Sequence, residues 1–191
     1  MKRIIIIAVA LLFGISGFCQ EHMKFKGIPI DGTPAEMARK LVEQGYKYLG
    51  EYDDGRIGLE GVFAGYQGTI AIEPNVRGIA QQVMVVYDVS IYPWKSLKAR
   101  WMELEQNLIS KYGNPVIATK IMDDLLYYDG SGYEMDGFRQ GKNDYTYSWY
   151  TEEGVIGLMI MATTDGSVFL TIWYQDTANS QVSDQAAYDD L

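Results

Sequence analysis

The sequence predicts an α+β fold of two tandem units, each a helix followed by a four-stranded antiparallel sheet, in a two-layer arrangement. Three observations carry this expectation. Helix signals recur near Thr33 and near Trp94. Each helix is followed by short apolar–polar alternating runs of strand length. Asp, Asn, Gly and Pro interrupt those runs at turn spacing. The units are expected at 24–92 and 93–176, with a flexible acidic tail at 177–191.

Residues 1–19 read as a signal peptide. Lys2 and Arg3 precede an apolar run from Ile4 to Ile15, too short for a bilayer span, which needs roughly 20 residues. Gly17 and Cys19 are small residues suited to cleavage before Gln20, giving a soluble exported chain, periplasmic or secreted. The alternative is a lipoprotein acylated at Cys19, the one route to a membrane contact, although Phe18 stands where such a motif wants a small residue. Either route removes the only cysteine from chemistry. The only histidine, His22, is expected in a frayed terminus, too loosely held for a general base.

Next comes a short strand-like lead-in, "MKFKGIPIDG". In "TPAEMARKLVEQG", Thr33 and Glu36 form a capping box, Pro34 suits the first helical position, and Gly45 supplies the stop. "YKYLGEY", "RIGLEGVF", "TIAIE" and "AQQVMVVYD" then read as a meander turning at Asp53–Gly55 and Pro74–Asn75. The pattern restarts in "WKSLKARWMELEQNLISKYGNP", where Leu97, Trp101, Leu104, Leu108 and Tyr112 form one apolar stripe ended by Gly113 and Pro115. "VIATKIM" follows, then an irregular stretch from Asp123 to Asn143, then "YTYSWY", "VIGLMIM" and "SVFLTIWYQD". Residues 69–88 and 157–176 align without a gap, Ile70 with Leu158, Ile72 with Ile160 and Gly78 with Gly166.

The formal charge of −9, two units more negative once Lys2 and Arg3 leave, disfavours nucleic acid and anionic membrane as partners. Without cysteine in the mature chain, packing alone must supply stability. "KFKGIPIDGT", "KYGNP" and "YQDTAN" resemble a group of uncharacterised exported bacterial proteins. The repeated element order is similar to β-lactamase-inhibitor-protein-like folds, which implies a protein-binding or scaffold role and brings no catalytic residues.

Candidate chemistry is sparse. A Ser-His-Asp triad lacks an ordered His, zinc lacks a Cys/His cluster, and neither nucleotide-binding glycine motif occurs. Asp129, Glu134 and Asp136 lie on a Gly-rich stretch where calcium could find oxygen ligands, the only cofactor the sequence suggests. Counted from Asp129, however, Glu134 and Gln140 stand where an EF-hand has Gly and Glu, so a solvated loop is the simpler reading. Tyr145, Tyr147 and Trp149 share one face of a strand, and with Trp173 they are candidate binding aromatics; core packing is the competing expectation for each. These features predict an exported, non-catalytic binding or scaffold module that recognises a macromolecule, a protein of the cell envelope first. The alternative is a carbohydrate-binding or carboxylate-dependent carbohydrate-active protein, which needs two carboxyls roughly 5 to 10 Å apart.

Overall fold

The computed structural model describes residues 21–123 and 125–181. The expected signal peptide with Cys19 lies outside the described residues, as do positions 182–191 of the expected tail. The chain forms an α+β fold in the order β1 (Lys24–Phe25), β2 (Ile28–Pro29), α1 (Pro34–Glu43), β3 (Lys47–Glu51), β4 (Ile57–Phe63), β5 (Tyr66–Pro74), β6 (Ala80–Asp88), α2 (Trp94–Tyr112), β7 (Ile117–Ile121), α3 (Glu134–Arg139), β8 (Asp144–Tyr150), β9 (Gly154–Ala162) and β10 (Val168–Asp176). The lead-in is a two-stranded hairpin, tight because Lys26 and Gly27 both take positive φ. All other strands join one antiparallel sheet in the order β3-β4-β5-β6-β10-β9-β8-β7. Its centre is the β6–β10 pairing, in register from Asp88 opposite Phe169 to Gln82 opposite Gln175.

One face of this sheet is covered. The capping box forms as the sequence predicts, with the Glu36 N–H donating to Thr33 Oγ1 (3.2 Å) and the Thr33 N–H to Glu36 Oε2 (2.9 Å). Below it, Met37, Ala38 and Leu41 pack α1 against β3, β4 and β5. The α2 stripe is buried at Leu97, Trp101, Leu104 and Leu108. Leu59, Ile70, Ile72, Val83, Val85, Leu158, Leu170 and Ile172 continue the same core across both halves of the sheet. Alternation of side chains along each strand then leaves the opposite face without a helical layer among the described residues.

The stretch from Asp123 to Asn143 is more ordered than the sequence suggests. It contains α3, whose Phe138 is buried between Trp94 and Tyr145 with ring centroids 5.4 and 5.7 Å away. A six-residue helix containing Gly137 is too short to show a period. Tertiary contacts explain the glycine, since a Cβ there would stand 2.3 Å from Asn143 Nδ2 and 2.7 Å from Tyr127 Cβ. Asn143 itself is buried: its side chain accepts from the Asp123 N–H and donates to the carbonyls of Tyr127 and Glu134.

Two expectations about the chain ends need correction. The Met23 N–H and His22 Nδ1 both lie on Asp176 Oδ2, at 2.8 and 3.1 Å, so the histidine is docked rather than frayed. The chain also continues past β10 as a helical turn over 177–181. There Asn179 is buried, donating through Nδ2 to the Ile30 and Ala80 carbonyls while its own carbonyl accepts from Asn75 Nδ2. An asparagine in a polar tail gives no sequence cue that three distant segments converge on it. Asn179→Ala should therefore cost about 2 kcal/mol by leaving two buried carbonyls unpaired. Urea unfolding of wild type and variant would measure it, and Ser180→Ala, removing a bond to the Asp176 carbonyl, should cost less.

Candidate functional site

Most of the expected aromatic row does not form a surface. Tyr145, Tyr147 and Trp149 point toward α2 and are buried, a correction to their candidacy as binding residues. Trp101 lies 5.3 and 5.6 Å from the rings of Tyr145 and Tyr147, both nearly edge-on, and the Trp149 Nε1–H donates to the Gly113 carbonyl at 2.8 Å. The physical reason is economy of apolar surface: in a sheet covered on one side, the bulky members of an alternating strand go under the helix and Thr146 and Ser148 take the other side.

Trp173 is the exception. It lies on the uncovered face, half-buried, in a row that the register defines as Gly58, Ala71, Met84, Trp173, Gly157, Ser148 and Ile117. Its indole occupies the space above Gly157, where a Cβ would meet Cε2 and Nε1 at 2.1 Å. Tyr52 makes the corresponding contact at the other side of the sheet, with its hydroxyl 3.0 Å from the position of a Cβ on Gly58. Glycine at these two strand positions thus lets an aromatic ring settle onto the backbone. The next row places Val86, Thr171 and Met159 side by side, and Met161 pairs with Phe169 beyond it. All of these except Thr171 are partly exposed. Thr171 is fully buried beneath its neighbours, and its Oγ1 has no hydrogen-bond partner. A soft apolar centre of methionines and one tryptophan, set in a rim of Glu60, Glu73, Asp88 and Asp144, is suited to contact with another surface.

The calcium candidates take separate partners. Asp129 accepts from Trp94 Nε1 at 2.6 Å and from Lys98 Nζ. Glu134 is buried, with Oε1 accepting from the Gly130 N–H at 2.6 Å, and Asp136 pairs with Arg139 at 2.8 Å. Among the described residues no group of three or more His, Cys, Asp or Glu could hold a metal ion. Asp129 and Glu134 do line a groove of about 540 Å³ with Lys95, Lys98 and Met135, floored by Trp94. The stretch from 125 to 133 is pinned to α2 there by Asp129.

One pair of carboxyls resembles an acid–base couple. Burial raises Glu73 above the usual carboxylate range, against the pull of Arg56, while the backbone N–H of Arg56 and then its side chain hold Asp54 low. The Arg56 Nε–H donates to Asp54 Oδ2 at 2.8 Å, so the Asp54 carboxylate is ion-paired. No protein-family model matches the chain, and comparisons with curated proteins and with solved structures gave no match.

Two outcomes follow from this geometry. Gly157→Ala should push the Trp173 indole off the sheet, lowering stability by about 1 to 3 kcal/mol and shifting the tryptophan emission to the red. The spectral change should vanish in a Trp173→Phe background. The Lys98 ammonium, with the Trp94 N–H, also holds Asp129 below its ordinary value. Its tether is therefore complete above about pH 4 and is lost as the pH falls through the depressed value. Protection of the 125–133 amides, taken relative to their intrinsic exchange rate at each pH, should fall over that window, and Asp129→Asn should show the low protection already at neutral pH.

Proposed function

We propose that this chain is an exported, non-catalytic binding module that recognises a protein of the cell envelope through the uncovered face of its sheet. The observation that carries the reading is Trp173 resting on Gly157 amid Met84, Val86, Met159, Met161 and Phe169, a mixed aromatic and methionine surface that none of the described elements covers. Tryptophan at the centre of an apolar patch with a polar rim is the composition of binding hot spots. The order of elements supports the finer architectural reading as well, two tandem helix-plus-four-strand units similar to β-lactamase-inhibitor-protein-like folds. On that reading β3–β6 with α1 and β7–β10 with α2 are equivalent units, and the turns at Gly78 and Gly166, both with positive φ, are equivalent turns.

A glycan reading draws on Asp129 and Glu134, which share one groove. It is weaker, because Trp94 is packed between Phe138 and Tyr145 and both carboxylates already hold internal partners. A photo-crosslinking amino acid at Met159, used in the intact cell envelope, separates the readings. It should give one adduct of defined protein mass, lost in Trp173→Ala and not obtained from the same probe at Lys40 on α1. Adducts at both positions alike, or none at Met159, would reject the uncovered face as the interface.

A further inference from the structure

The two edges of the sheet are built differently. On β3 the register slips between Tyr48 and Gly50, and Lys47 and Glu51 mark the strand with charge, the usual means of keeping an edge from pairing. On β7 the register with β8 is regular from Ile117 to Ile121. Ile117 and Ile121 are 44% and 56% exposed, and the preceding Val116 is 71% exposed. The one charge on the strand, Lys120, is drawn toward α2, where it holds Glu105 at 2.8 Å and lies over the rings of Tyr145 and Tyr147. Its charge is therefore already paired with Glu105 rather than left free at the edge.

From this asymmetry we infer that β7 pairs antiparallel with β7 of a second copy, joining the two sheets about a two-fold axis at Thr119. The sequence "IATKI" is self-complementary in that register and in no neighbouring one. With Thr119 on the axis, Ile117 faces the partner's Ile121 on the uncovered side, and Ala118 faces the partner's Lys120 on the helix side. A shift that puts Lys120 on the axis opposes two ammonium groups, which is destabilising. A shift that puts Ala118 on the axis sets Ile121 against Pro115, which has no N–H for a ladder. Val116, 71% exposed, comes opposite the partner's Met122 in the same register and adds apolar area to a short strand pairing. An axis perpendicular to the sheet makes this an isologous contact. Both uncovered faces then lie on the same side as one continuous surface. The pairing stands independently of what that surface binds.

The test is sedimentation velocity on residues 20–191, which contain every described residue and no cysteine, from about 1 to about 100 µM. A monomer–dimer equilibrium is expected, strengthened by added salt because both copies are acidic. Ala118→Lys should weaken dimerisation about tenfold by facing Lys120 with a like charge, and Ala118→Glu should strengthen it. Thr119→Cys should crosslink to itself through a short bis-maleimide, since residues directly opposite place their Cβ atoms about 5 Å apart, whereas Lys47→Cys on the other edge should not. A monomer across the whole range without a Thr119→Cys crosslink would overturn the inference. So would a dimer whose constant is the same in both Ala118 variants.

Discussion

Everything in this fold depends on the pairing of β6 with β10. Each half of the sheet ends at one of these strands, and alone each would present an open ladder edge beside a half-finished core. Joined, Val83 and Val85 meet Tyr174 and Ile172 across the seam on the covered side, so the cores beneath α1 and α2 become one. Burial on that side is enough to push the Tyr87 and Tyr174 phenols above their ordinary range. The ends of the seam are fastened by polar groups: Ser90 Oγ accepts from the Val168 N–H at one end, and Asp176 receives Met23, His22 and Asn179 at the other.

The same seam creates the uncovered face. The helices that cover the eight strands lie on one side, so Met84, Val86, Thr171 and Trp173 meet at the centre of the other side with no described element above them. The buried Thr171 hydroxyl, without a hydrogen-bond partner, lies at the middle of this surface. The protein's only histidine is held by Asp176, and its suggestive carboxylates are engaged by Lys98, by the Gly130 N–H, by Arg139 and by Arg56. Among the described residues no helix is long and apolar enough to cross a membrane.

What was legible in the sequence was whatever local chemistry decides. The capping box at Thr33, the α2 stripe, the turn at Asp53–Gly55, and every strand of the large sheet follow from periodicity, φ preference and capping. The order of elements belongs to the same class. Less legible were α3, which has no period, and the roles of Asn75, Asn143 and Asn179, whose residue type predicts a turn and whose partners lie far along the chain.

The candidate site divides along the same line. Alternation in "DYTYSWY" determined that Tyr145, Tyr147 and Trp149 share a side of the strand, and in "FLTIWYQ" that Trp173 lies opposite Tyr174. Which side meets a helix was decided only in three dimensions, because it depends on where α2 returns across the sheet. Trp149 therefore became core and Trp173 surface, although both are tryptophans on alternating strands. Likewise Asp129 and Glu134 are close in sequence, but the Trp94 and Lys98 partners of Asp129 are set by packing. A period of two specifies that a strand has two faces, and only the contacts of the folded chain specify which of them is inside.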